Sequence, residues 1–462
     1  MLLDVKFQGN GIAIFHATGG ELHANSLERL EELCDVMQRQ GKIGIILELS
    51  GLRRVSAGGL AALVELVSLR RDQEIGICSP PEKLLRLIEQ LGLYRGLPIY
   101  KDLPNALRSS QFKRCHLRGL RCVVFCSSQS RGILDQAGPS EMLDVLGKPL
   151  IHRVLDGLAD YGCSITYLKP GRNARRLASY LSGEQVIGQS QFLLGAEMGA
   201  ASEELGSLLR HLVDSQISGQ DDLLILPGDQ LNTADLGAFV EHHKDSRADL
   251  SVMVTEEGTN GAPSDQDMDL WEPSGIMIRP ELIPHLPTDG CQSLSELACF
   301  LRRKKRKVAV YRAGARLLHV NSVTSYQHVL TSLMTSPIDG VLPFGTAAEA
   351  GIWHGAGSRV SARAKITGPV FIGDGAEVPR NVRLIGPVVI GAGVKIPSRT
   401  LVRNSIILSD QTLETGALVD GKLVLNDRQL SLSAPAAPRH LLTIPHEIPE
   451  LDVLQEPQEK LA

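Results

Sequence analysis

Asp229 is the residue whose setting best suits ligand chemistry. It closes LLILPGD, Leu223 to Asp229, an apolar run of strand type, and open α/β sheets present ligand-binding groups at the carboxyl ends of such strands. A Gly-Asp pair also makes an ordinary turn, so both readings attach to Asp229. Ser56 stands before the helical run AGGLAALVEL, where a hydroxyl accepts hydrogen bonds from the first helical amides as an N-cap. The eight cysteines, at 34, 78, 115, 122, 126, 163, 291 and 299, form no CxxC pair and no Cys/His cluster of zinc type. Reduced, mostly buried thiols are expected, with no zinc and no native disulfide. The basic run Arg302 to Lys307 (RRKKRK) falls at a helix end and reads as a solvated face.

Positioning these residues takes more than one core, since 462 residues correspond to roughly three domains. Apolar residues make up 43% and charged residues 22%, which excludes wholesale disorder and a small disulfide scaffold. Lysine and arginine total 48 against 52 aspartates and glutamates; the net charge of −4 gives no general attraction to nucleic acid or acidic lipid. There is no run of about 18 apolar residues and no signal-type N-terminus, so neither a membrane span nor export is expected, and a cytoplasmic location is.

Three segments and a tail follow from the patterning. Residues 1–110 alternate strands (2–7, 11–16, 43–49, 75–78, 98–100) with helices (25–40, 59–70, 82–91), which predicts a compact α/β domain. A basic, polar stretch around Phe112 to Arg121 separates it from residues 120–335, whose opening strand RCVVFC and later alternation predict a doubly wound, Rossmann-like parallel sheet. From Val360 an aliphatic residue recurs every six positions, at Ile366, Ile372, Val378, Leu384, Ile390, Ile396, Val402 and Leu408. A small or β-branched residue follows each by four, from Ala364 and Val370 to Thr400, Ile406 and Thr412. Two inward positions per hexad define one flat side of a triangular coil, which predicts a left-handed parallel β-helix over residues 345–425. Val389, Leu401 and Ile407 fall at outward positions, and such apolar surface predicts a homo-oligomer through the coils. Residues 430–462 are proline-rich and predict a loose tail or strap.

The central segment resembles the sugar-phosphate nucleotidyltransferases, which make a nucleotide-diphosphate sugar and pyrophosphate from a nucleoside triphosphate and a sugar 1-phosphate. The likeness rests on PSEMLDVLGKPLIHRVLDGLADYG from Pro139, LLILPGDQL from Leu223, SGIMIRPELI from Ser274 and LLHVNSVTSY from Leu317. The hexad region is similar to the β-helix that follows this domain in mannose-1-phosphate guanylyltransferases. The resemblance implies a glycine-rich phosphate loop, a lysine facing the phosphates and magnesium held by two aspartates. In this sequence the loop glycines fall on Ser128 and Ser130, the lysine on Ser140 and the second aspartate on His319. Asp229 matches the first aspartate, and Arg131, Lys148 and Gly199 are the candidates for nucleotide or sugar-phosphate contact. Read structurally, Lys148 caps a turn before the helix near Pro149, and Gly199 makes a tight turn.

These replacements remove positioning, charge stabilisation and a metal ligand together. A degenerate, non-catalytic protein that regulates or scaffolds sugar-nucleotide or polysaccharide metabolism is therefore expected, with a nucleotide or nucleotide-sugar as its ligand. The alternative is an active pyrophosphorylase with an atypical site, using Arg131 and Lys148 on phosphate and Mg2+ as cofactor; no other cofactor is expected. Acyl transfer by the coils is disfavoured, because His354 lies just before the regular hexads that start at Val360 and no histidine lies within those.

The first segment resembles the STAS fold of anti-sigma factor antagonists through IILELSGLRRVSAGGLAALVEL, Ile45 to Leu66. The resemblance implies a protein partner and a phosphorylatable serine at a helix N-terminus. Here the acceptor position is Gly58 and the motif aspartate is Ser56, so the switch is expected to be lost, with Ser56 a plain cap.

Overall fold

The computed structural model describes residues 2–126, 132–163, 165–169, 174–183, 191–194, 205–214, 221–255, 273–287, 293–314, 317–320, 322–335, 343–349, 351–426 and 428–432. The first sheet runs Leu2–Gln8, Ile12–Thr18, Gly44–Gly51, Glu74–Cys78, Ile99–Tyr100 in spatial order, antiparallel in the first pair and parallel thereafter. Helices Ser26–Arg39, Ala57–Leu69 and Glu82–Gln90 cover one face, placing Leu30, Leu63 and Ile88 on Phe15, Ile45 and Ile77. The opposite face carries Ile14 and Ile46 and is closed by Ala106, Phe112 and Cys115. Both faces are thus dry, which is why GIILELSG reads as a continuous apolar run rather than an alternating one.

That second cover corrects one expectation. The stretch predicted as a polar separator is a structural joint, because each of its apolar residues, Phe112, Cys115, Leu117 and Leu120, points inward. Arg114 and Arg118 face solvent, and the charged residues dominate the composition, which hides the packing.

The central sheet has seven strands, in the order Gln191–Leu194, Ile165–Lys169, Arg121–Phe125, Leu223–Pro227, Gly275–Ile278, Leu250–Thr255, Val308–Ala313. It is mixed rather than all parallel, since Gly275–Ile278 runs antiparallel to both neighbours. All four residues of that strand are buried, and an apolar run without alternation carries no record of direction. Helices Leu150–Asp160 and Leu236–Ser246 pack on one face through Ile151, Leu155, Phe239 and Val240. Helices Leu205–Asp214 and Leu294–Arg303 pack on the other through Leu208, Leu209, Leu297 and Leu301.

Residues 346–431 form three stacked ladders. One joins Ile352–His354, Val370–Ile372, Val388–Ile390, Ile406–Ile407 and Lys422–Leu425 in parallel, with antiparallel Thr346–Glu349 and Arg428–Ser431 at its ends. A second joins Lys365–Thr367, Arg383–Ile385, Leu401–Arg403 and Leu418–Asp420, and the third joins Arg359–Val360 to Glu377–Val378 and then, by single bridges, to Lys395 and Thr412. Ile372, Val378, Leu384, Ile390 and Val402 share one core, as the six-residue period requires.

The period slips after Val402. Val389 pairs with Ile406 instead of Ile407, so Ile407 enters the core while Ile406 and Leu408 pack outside it. Ser405 takes the inner place: its hydroxyl donates to the Arg403 carbonyl at 2.6 Å and accepts from the Lys422 amide at 3.0 Å, so this small polar group is satisfied while fully buried. Asn404 turns the shortened corner at φ 46°. Val389 and Ile407 are therefore not exposed outward residues. Val389 lies with Phe371, Ile406 and Leu423 against Tyr326, Val329, Leu330 and Leu333 of helix Val323–Thr335, which leaves Leu401 alone of the three behind the expected oligomer surface.

Candidate functional site

Strand Arg121–Phe125 has Ile165–Lys169 on one side and Leu223–Pro227 on the other, so the chain leaves it in opposite directions. The crevice at the carboxyl ends of such a switch point is where α/β sheets bind ligands. The Gly228 amide donates to the Phe125 carbonyl at 2.8 Å and seals the strand ends together. A Cβ at Gly228 would lie 2.5 Å from Cys126 Sγ, so only glycine fits there. Asp229 follows in the turn, half-buried, and leads into Gln230–Asn232, which pairs antiparallel with Leu317–His319. In that pairing Gln230, the residue after Asp229, stands opposite His319.

Across the crevice, Lys169 ends its strand with its ammonium 4.8 Å from the centre of the Phe125 ring, and its carbonyl accepts from the Cys126 amide at 3.0 Å. Lys169 is only 9% exposed, a cation at the end of the strand two places along the sheet from the one that leads to Asp229. The sequence reasoning missed it, although the signal was present: it closes the apolar run ITYLK just before Pro170, by the same positional logic as Asp229.

The remaining candidates divide sharply. Ser128, Ser130, Arg131 and Gly199 lie outside the described residues. Ser140 is buried in the short turn Ser140–Met142, its hydroxyl donating to the carboxylate of buried Glu141 at 3.2 Å. Lys148 gives its ammonium to Asp156 at 2.7 Å and covers the Phe344 ring at 5.0 Å. Burial raises the Asp156 carboxyl, but hydrogen bonds from His152 and Lys148 outweigh it and hold the group below the usual carboxylate range. The loop before this helix is fixed by Arg153, whose guanidinium donates to the carbonyls of Val145 at 2.7 Å and Leu146 at 3.0 Å. Lys148 thus braces the 144–149 loop against helix Leu150–Asp160.

Magnesium does not fit the pair at 229 and 319. One carboxylate and an imidazole are a poor donor set for a hard cation that demands oxygen. Among the described residues no group of three or more His, Cys, Asp or Glu side chains gathers to hold a metal. A cavity of about 290 Å³ opens instead beneath the joint, lined by Arg108, Lys113 and His116 on one side and by Asp156, Tyr161 and Asp235 on the other. It includes neither Asp229 nor Lys169, and its charges balance. The basic run Arg302 to Lys307 is exposed at the end of helix Leu294–Arg303.

In the first domain Ser56 is fully used as a cap. Its hydroxyl donates to the Leu22 carbonyl at 2.9 Å and accepts from the Gly59 amide at 3.0 Å. A Cβ at Gly59 would meet the Leu22 carbonyl oxygen at 2.1 Å, so the helix start packs on backbone and requires glycine. Gly58 is less constrained, its added Cβ falling 3.3 Å from that of Ala24.

No helix among the described residues is long and apolar enough to cross a membrane. No curated protein matches the chain. Among solved structures, HddC from Yersinia pseudotuberculosis is similar at 15% identity and a TM-score of 0.38, over 46% of this chain and 97% of that one. Residues 5–106 match the STAS domain family, spanning the first sheet and its three covering helices. The amino-terminal part of this multidomain α/β protein is a STAS domain.

Proposed function

We propose that this chain is a degenerate, non-catalytic relative of the sugar-phosphate nucleotidyltransferases. In this reading residues 120–335 are the nucleotidyltransferase-like domain, residues 345–425 a left-handed β-helix and residues 430–462 a tail. The STAS domain meets a protein partner, and the whole regulates or scaffolds sugar-nucleotide or polysaccharide metabolism. One observation carries the reading: the position for the phosphate-facing lysine is buried Ser140 bonded to Glu141, while the retained Lys148 is committed to Asp156. Each lost element of that kind is worth about 10²- to 10³-fold in rate.

The experiment is pyrophosphate release by the full chain, across the common nucleoside triphosphates paired with sugar 1-phosphates. No release above the protein-free control is expected, while a nucleotide or nucleotide-sugar raises the melting temperature, since a ligand of the folded state must stabilise it. Sustained release with any pair overturns the reading. The alternative, an active enzyme with an atypical site, draws on Lys169 and Asp229 at the strand ends, and loss of that release in Lys169→Met would identify it.

A further inference from the structure

Cys122, in strand Arg121–Phe125, and Cys163, in the turn before strand Ile165–Lys169, stand far apart in sequence and adjacent in space. Their sulfurs are 3.0 Å apart, and both side chains lie in the core under helix Leu150–Asp160, Cys122 fully buried and Cys163 3% exposed. We propose that Cys122 and Cys163 are an oxidation site, a dithiol that closes to an intramolecular disulfide when the protein meets a hydroperoxide. The sulfurs need to approach by about 1 Å to reach bonding distance.

The surroundings assign the order of steps. Cys163 Sγ lies beside the Cys122 thiol and 3.6 Å from the Thr166 hydroxyl, and these neighbours favour its thiolate; burial pushes the Cys122 thiol up. The Cys163 thiolate attacks one peroxide oxygen, an S–O bond forms and the O–O bond breaks, leaving a sulfenic acid and an alcohol or water. The Cys122 sulfur then attacks the sulfenic sulfur, its thiol proton leaves with the departing hydroxyl as water, and the S–S bond forms. Two thiols are oxidised by two electrons and one hydroperoxide is reduced. Hydrogen peroxide is little larger than water, and Cys163 sits in the turn after helix Leu150–Asp160, at an element end of the kind that opens locally before the core does.

The crosslink would act on the joint. The turn Tyr161 to Cys163 carries the segment from the STAS domain, since the Leu117 amide donates to the Tyr161 carbonyl at 2.9 Å. Gly162 packs there so closely that an added Cβ would fall 1.7 Å from the Arg114 carbonyl oxygen. Tying Cys163 to the sheet therefore holds that turn beneath the joint.

The test treats the folded full chain with hydrogen peroxide until the half-exposed Cys299 is oxidised, then alkylates it under denaturing conditions and maps the peptides. A Cys122–Cys163 crosslinked peptide, lighter by two hydrogens than its parts and reversed by reductant, is expected. It should vanish in Cys163→Ser and persist in Cys126→Ser. Recovery of Cys122 and Cys163 as alkylated thiols from wild type once Cys299 is oxidised overturns the proposal, as does a crosslink from Cys122 to any other cysteine. The wild-type map decides the matter even where a serine variant fails to fold.

Discussion

Where the STAS domain meets helix Leu236–Ser246, backbone and charged groups make the contact. The Gly9 amide donates to the Glu241 carboxylate at 2.7 Å, and the Lys244 ammonium donates to the Gly9 carbonyl at 2.8 Å and Asn10 Oδ1 at 2.9 Å. Within the STAS domain, next to this contact, the Lys42 ammonium donates to the Asn10 carbonyl. The C-terminal ladders meet helix Val323–Thr335 in the opposite way, through Phe371, Val389, Ile406 and Leu423 laid on Tyr326, Val329, Leu330 and Leu333. Burial pushes the Glu241 carboxyl up and the Lys42 and Lys244 ammonium groups down, so the charged form of each carries a desolvation cost. The polar joint therefore defines orientation more than it adds stability, whereas the apolar joint supplies stability with little directional demand.

The largest expected effect breaks the apolar joint. Phe371→Ala, at a residue 1% exposed, should lower stability by about 3–5 kcal/mol in urea unfolding and release the ladders to proteolysis. A loss below about 1 kcal/mol would mean that the ladders stand without the central helix. A smaller effect is expected at the polar joint, where Lys244→Met removes two hydrogen bonds and takes that donor from the Gly9 carbonyl and Asn10 Oδ1. Its cost should be about 1–3 kcal/mol, and hydrogen exchange at the Gly9 amide should quicken while the ladders keep their protection. Unchanged exchange at Gly9 would show that Lys244 does not help to hold this contact, leaving the Gly9–Glu241 bond to stand without it.

The smallest effect sharpens the comparison at the rim of the apolar joint, where Lys148 covers Phe344 and pairs with Asp156. The pair is partly exposed, so Lys148→Met should cost no more than about 1 kcal/mol near neutral pH. Asp156 has its folded pKa below the unfolded value of about 3.9, so its contribution is complete above that value and is lost as pH falls through the folded one. The difference in melting temperature between wild type and variant should therefore shrink in acid. A difference that widens on acidification would rule out this ion pair as the source.

Periodicity carried a great deal of this protein. The hexad residues from Ile372 to Val402 share one core, because each adds an identical unit of apolar surface and the neighbouring coil repeats the demand. The STAS helices were likewise written in local spacing, and the role of Ser56 followed from a cap that spans only three residues. The crevice is half legible: Asp229 stands out in a Gly-Asp pair at a strand end, while Lys169, at an equivalent end, sits in no such motif.

What lay beyond local pattern was whatever depends on two distant segments meeting. The slip after Val402 turns on Ser405 finding backbone partners at Arg403 and Lys422, and a serine in a hexad looks the same whether or not those partners exist. Gly9 and Lys244 are joined across 235 positions by a bond that neither flank announces. Lys148, a phosphate candidate by motif, becomes a brace only because the helical turn that follows presents Asp156 to it. Periodic burial is an additive, local preference and so is written along the chain, whereas the pairing of single polar groups is decided by which of many competing partners the finished packing brings within hydrogen-bond reach.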